Sequence, residues 1–126
     1  MRRPKTAPDD HRIFQFDGWE ILVGKNAKGN DRLTRHVARP DDLWLHAEGM
    51  SGSHVVIRNP QRKDVPPEII RKAASLAAYY SKGRNAAAVP VAYTHAKFVK
   101  KPKGAPPGLV TLTRRQTLMA KPENAA

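Results

Sequence analysis

Two groups of side chains in this sequence have types and spacing that could do chemistry. The first is Lys97, Lys100, Lys101 and Lys103, in a segment that also holds Pro102, Gly104, Pro106, Pro107 and Gly108. Ammonium groups at that density suit a polyanion, and the prolines lower the entropic cost of holding several of them in one geometry. The glycines let a phosphate approach the main chain closely. As a plain exposed connection, the same segment would only serve solubility. The second group is Asp42, Trp44 and His46 with Gly49, Ser51, Gly52, Ser53 and His54. Strict alternation puts Leu43, Leu45 and Ala47 on one face of a strand and Asp42, Trp44 and His46 on the other. If exposed, Trp44 could stack on a base, with His46 beside the phosphate. If the sheet is covered on both faces, Trp44 is a core residue and His46 its polar neighbour. Lys25, Lys28 and Asn30 lie in a Gly/Asn/Lys-rich stretch suited to a nucleic-acid backbone, and Arg58, Lys82, Arg84, Arg114 and Arg115 add further cations.

Catalytic patterns are thin. Ser53 and His54 are adjacent on a strand and point to opposite faces, a poor arrangement for nucleophile and base. No nucleophile-elbow pattern surrounds either residue. His36, His46, His54 and His95 show no i, i+4 ligand spacing, and the absence of Cys removes thiolate zinc sites and disulfides. Residues 24–30 resemble a phosphate loop in composition but lack its Gly-Lys-Ser/Thr ending. The reading is therefore a non-catalytic binding domain without cofactor or metal. An RNA-processing or RNA-modifying enzyme, or its subunit, with a site around Asp42, His46 and His54 is the alternative. A protein-interaction adaptor is a third possibility.

Charge decides the class of partner. The 126 residues carry a formal net charge of +12, and residues 69–122 hold eleven basic side chains and no acid. Elsewhere the signs nearly cancel. A solubilising surface would mix signs, so an acid-free half points to nucleic acid. Aromatic residues make up only 6%, which argues against a large aromatic ligand cavity. No apolar run approaches the ~18 residues of a membrane span, and no apolar run follows the basic N-terminus as a secretory signal would require. A cytoplasmic location without membrane contact is the expectation.

The elements that must position these side chains follow from pattern. Residues 1–11 read as a flexible basic arm and 122–126 as a tail, leaving one domain over 12–121. Asp17-Gly18 predicts a tight hairpin between Ile13–Phe16 and Trp19–Val23. A short helix is expected over about 30–39, capped by Asn30 or Asp31 and ended by Pro40. Strands are expected over 41–47 and 54–58, and a long helix over about 66–82, with prolines at its start and Gly83 as its C-terminal cap. Further strands are expected over 89–99, 109–113 and 116–120. The fold class is α+β: a mostly antiparallel sheet backed by one long helix.

Several blocks together resemble the NFACT-R domain family. They are Gly18-Trp19-Glu20-Ile21-Leu22-Val23-Gly24-Lys25-Asn26, Asn30-Asp31, Asp42-Leu43-Trp44-Leu45-His46-Ala47 and Gly52-Ser53-His54-Val55-Val56-Ile57. The likeness continues through Ala77-Ala78-Tyr79-Tyr80-Ser81-Lys82, Val91-Ala92-Tyr93-Thr94, Val99-Lys100-Lys101-Pro102-Lys103-Gly104 and Pro107-Gly108-Leu109-Val110, in order across residues 13–120. The resemblance implies an RNA-binding module of the kind found in ribosome-associated quality control proteins, with tRNA or rRNA as partner. It places Asp42, Trp44, His46, Gly52, Ser53, His54 and the Lys100–Gly104 segment at signature positions. The N-terminal NFACT domain, helix-hairpin-helix segment and coiled-coil arm of the full-length proteins have no counterpart in this sequence, so a standalone domain acting at the ribosome or with a tRNA-modification enzyme is expected.

Overall fold

The computed structural model describes residues 10–124. In chain order its elements are β1 (His11–Phe16), β2 (Trp19–Gly24), α1 (Ala27–Arg32), a π-helical turn (Leu33–Val37), β3 (Leu43–Ala47) and β4 (Val55–Ile57). There follow α2 (Pro67–Tyr79), β5 (Val89–His95), a 3-10 turn (Ala96–Phe98), β6 (Val99–Lys100), β7 (Thr111–Leu112) and β8 (Gln116–Ala120). Six strands form one sheet in the order β1-β2-β4-β3-β5-β8, every neighbour antiparallel, while β6 and β7 pair separately. The α+β architecture is the one the sequence implies. The β1–β2 turn uses Asp17-Gly18 with φ of 49° and 85°, a left-handed pair that Asp tolerates and Gly adopts freely. Of the arm placed at 1–11, residues 1–9 lie outside the described residues. Asp10 pairs with Arg32 at 2.8 Å and His11 opens β1.

One face of the sheet packs on α2. Ile21, Val23, Leu45, Val55, Ile57 and Val91 meet Ile69, Ala73, Leu76 and Ala77, all buried in one cluster. The alanines let the helix lie close to the strands. The helix is shorter than the 66–82 span expected and Gly83 does not cap it. It stops at Tyr79 because Ser81 takes over the end: its Oγ donates to Ala78 O at 2.7 Å and its main chain bridges to Gly52.

The other face carries a second, smaller core of Leu22, Leu33, Trp44 and Val56, covered by Val37, Val99, Val110 and Leu112. The expected 30–39 helix is displaced. It begins at Ala27, where Asn26 Oδ1 accepts from Gly29 N at 2.8 Å, and gives way to the π turn before Pro40. Asn30 is therefore inside the helix rather than at its cap. The expected 89–99 strand breaks after His95, since Ala96 N donates to Asp42 O and Lys97 N to Pro40 O, at 2.8 and 3.1 Å. That bend takes the chain off the sheet and starts the β6–β7 hairpin. The hairpin covers only part of the second face, and Thr117 and Met119 of β8 remain exposed there.

Gly24 marks where α1 closes on the sheet: an added Cβ would lie 2.0 Å from Asn30 Oδ1. Gly24→Ala should lower the unfolding free energy by ~2 kcal/mol, as overpacking does. A fall in the urea midpoint at unchanged slope checks it; a wild-type midpoint would show that this contact is not rigid.

Candidate nucleic-acid interface

A run of directed hydrogen bonds organises the second face. His54 Nε2 lies 3.0 Å from Gly108 O and His54 Nδ1 lies 2.6 Å from Thr34 Oγ1. A carbonyl can only accept, so Nε2 carries the proton and Nδ1 accepts from the Thr34 hydroxyl. That hydroxyl in turn accepts from Trp44 Nε1 at 3.0 Å. His46 Nε2 donates to Gly52 O at 3.2 Å by the same logic. The Trp44 and His46 rings stack at 5.9 Å and 16°, and His54 meets both edge-on, at 5.0 and 5.4 Å. Burial, followed by the neighbouring His46, pushes the His54 pKa down to about 4. Burial also lowers that of His46. Both rings are neutral near pH 7.

Trp44 is only 2% exposed, so the surface-stacking role envisaged for it is corrected: the sheet is covered here and Trp44 is a core residue. His54, equally buried, is likewise structural. Asn30 accepts from His54 N at 3.0 Å and donates to Gly52 O at 3.3 Å, which leaves it no surface for a backbone contact. Ser53 N donates to Tyr80 O at 2.9 Å and so helps join the Gly/Ser loop to the end of α2. Asp42 accepts from Asn59 N at 2.6 Å and Arg39 N at 2.9 Å, and pairs with Arg58 at 3.3 Å. Arg58 thus compensates a buried carboxylate instead of facing solvent.

The lysine segment is not one cluster. Lys101 pairs with Asp31 and donates to Pro106 O at 2.8 Å, while Gly108 N donates to the same carboxylate at 3.3 Å. Burial disfavours the Asp31 carboxylate, but Lys101, Gly108 N–H and Arg35 outweigh it and hold its pKa below the usual range. Lys101 therefore closes the hairpin loop rather than gripping a ligand. Lys97 sits 3.8 Å from Asp41 and 5.5 Å above the Phe98 ring, which Arg114 also covers, at 5.3 Å. Arg115 Nε is 2.9 Å from Glu48, and Arg84 lies 4.1 Å over Tyr79. Lys25, Lys28, Lys82, Lys100 and Lys103 are exposed. The acid-free half is thus mixed in space: Asp31, Asp41 and Glu48 come from the first half to meet it. Its Arg71 and Lys72 are on α2, across the sheet from the hairpin.

Two clefts open where the hairpin stops. One, of about 490 Å³, has Trp44, His46 and Ala92 as its floor, the 108–112 segment as a wall, and Glu48 and Arg115 at its rim. The other, of about 350 Å³, lies among Thr94, His95, Phe98, Arg114 and Gln116, and Arg115 borders both. Thr34 and Glu48 are missed by sequence reasoning, and Asp31 is read there only as a possible helix cap. The partners of Thr34 and Glu48 lie ten or more positions away, as does Lys101 for Asp31, and no spacing signals them. Among the described residues no three His, Asp or Glu side chains gather as a metal site. No described helix is long and apolar enough to cross a membrane.

An antiparallel sheet with a helix on one face, and a short basic hairpin against a histidine-tryptophan floor on the other, defines an α+β domain of the NFACT-R type. The model of the NFACT protein RNA binding domain matches residues 11–113, and the chain belongs to that family. It is 46% identical over 106 residues to the Rqc2 homolog RqcH of Bacillus subtilis (strain 168), covering 84% of this chain and 18% of that protein. To the ribosome quality control complex subunit NEMF homolog of Drosophila melanogaster it is 31% identical over 81 residues, 64% of this chain and 8% of that protein. The solved C-terminal part of the fibronectin/fibrinogen-binding protein from Streptococcus suis superimposes with a TM-score of 0.83 at 41% identity, covering 98% of this chain and 48% of that one. The chain spans about a fifth of the length of its bacterial relatives.

Since the folded pKa of His54 lies below its ordinary value of 6.5, the stability gained by keeping it neutral is complete above pH 6.5 and is lost as pH falls toward about 4. The stability difference between wild type and His54→Gln should shrink by roughly 3 kcal/mol between pH 7 and pH 4. Chemical denaturation at several pH values reads it, and a constant difference would refute a neutral, buried His54. Thr34→Val, which strands His54 Nδ1 and Trp44 Nε1, should cost about 2 kcal/mol in the same assay.

Proposed function

We propose that this domain binds tRNA or rRNA through the phosphate backbone, in the cytoplasm, as a non-catalytic module of ribosome quality control or tRNA modification. The observation that carries the reading is the row of exposed cations on and beside the β6–β7 hairpin: Lys97, Lys100, Lys103 and Arg114, with Lys25 and Lys28 at the start of α1. Among the described residues, Lys97 alone of these has a carboxylate nearby, at 3.8 Å. Such a row is the electrostatic footprint of a phosphate-binding surface. The family's description as an RNA binding domain supports the same reading. So does the name of the Drosophila relative, a ribosome quality control complex subunit homolog.

Binding without catalysis is supported by the state of two of the three candidate acid–base groups. Both His54 nitrogens are engaged, and both Asp42 oxygens accept from main-chain donors. A general base needs a lone pair directed at substrate, and these two buried residues offer none to solvent. His46 is left alone at the cleft, without an acid or base beside it from that set.

Binding of tRNA across a range of salt tests the reading. Four phosphate contacts give a slope of log K against log salt of roughly −3. Lys97→Ala, Lys100→Ala, Lys103→Ala and Arg114→Ala combined should weaken binding and remove most of that slope. Unchanged affinity and slope in this variant would refute the assignment. Lys101→Ala alone should instead lower thermal stability, because it removes the least exposed cation paired with Asp31 and the bond to Pro106 O.

A further inference from the structure

We propose that the cleft of about 490 Å³ on the second face receives one unpaired nucleobase of the bound RNA, stacked on the ring of His46. The assignment rests on the RNA-binding function proposed above and gives it a reader beside its grip. Four observations converge on the cleft.

Its size is at the lower end of small-ligand clefts, which run from about 300 to 1,000 Å³, with room for one flat heterocycle and its ribose. Its floor is already a stack: the Trp44 and His46 planes are within 16° of parallel at 5.9 Å, and His46, half-buried where Trp44 is buried, is the open end. A further ring laid against His46 continues the series. The imidazole is held for that purpose by its bond to Gly52 O at 3.2 Å and by the edge of His54 at 5.4 Å, so docking a base requires no new ordering of the floor.

The polar groups at the rim match the rest of a nucleotide. Glu48 Oε2 accepts from Thr117 Oγ1 at 3.0 Å and faces Arg115 Nε at 2.9 Å, which leaves Oε1 to accept from an amino or ring N–H of the base. Arg115 uses its Nε in that pair, which leaves its terminal nitrogens for a phosphate of the strand leading in. Finally, grip and cleft share a wall. Thr111, which lines the cleft, is the register partner of Lys100. A strand held by the hairpin lysines passes the mouth of the cleft, within reach of one extruded base.

The test uses an oligonucleotide whose units are all abasic except one central adenosine, against the fully abasic chain of the same length. The protein carries Trp19→Phe so that Trp44 is the only indole. The single base should raise affinity about tenfold, within the range of one base–aromatic stack, and quench Trp44 emission. Thr111→Phe, which narrows the cleft from an exposed position, and Ala92→Leu, which raises its floor, should both abolish the gain and leave the salt slope unchanged. Equal affinity for the two oligonucleotides while tRNA binding persists overturns the cleft assignment and spares the phosphate grip. A gain that survives both filling variants places the base elsewhere and overturns it as well. Loss of tRNA binding in the unsubstituted protein removes both readings.

Discussion

The hydrogen-bond run from Trp44 through Thr34 and His54 to Gly108 is the constraint on which the second face depends. It joins the turn after α1, the central strand β3, the residue that leads into β4 and the base of the hairpin loop, four separate segments of the chain. Thr34 donates to His54 Nδ1 while accepting from Trp44, so the run has this direction only while His54 is neutral. Burial enforces that neutrality, and the packing of Leu33, Val56 and Leu112 enforces the burial. Hydrophobic cover and polar order are therefore one device: apolar residues keep water out, and the dry site makes each bond costly to lose. The same device orients His46 and sets the hairpin at a fixed height above the sheet.

Ion pairing then sculpts the charge. Lys101 and Asp31 neutralise each other between α1 and the loop, and Arg115 and Glu48 do so at the rim of the larger cleft. What is left without a carboxylate among the described residues is a narrower set of cations than the composition suggests, with Lys100, Lys103 and Arg114 on the hairpin side. A net charge of +12 states how strongly the protein attracts polyanions at a distance. The few unmatched ammonium and guanidinium groups decide where contact is made.

Much of this was legible in the sequence, unevenly. Asp17-Gly18 fixed a turn because its chemistry is local, and the alternation of Leu43, Trp44, Leu45 and His46 fixed a two-faced strand. Whether the Trp44 face was wet or dry was not legible, since its cover comes from Leu33, Val99 and Leu112, each remote and unremarkable by itself. The helix near residue 30 starts earlier than its sequence implies because Asn30 is a good cap in isolation, whereas its amide is claimed by His54 N and Gly52 O. Lys101 looked identical to Lys100 and Lys103 in the sequence. Only the position of Asp31, seventy residues earlier, separates the structural lysine from its neighbours. Site chemistry carried by side chains was readable; site chemistry carried by long-range pairing was not.

The hairpin's strands are two residues each, and they pair with each other rather than with the six-stranded sheet. The loop between them is fastened near its base, at Lys101 and at Gly108. Residues gained or lost between those two points would change no strand alignment elsewhere, because a slip in β6 or β7 is not passed on to β5 or β8. The sheet must keep its register to keep its faces, but the tongue above it is under no such constraint. Reach toward a partner can thus be altered without disturbing the domain beneath.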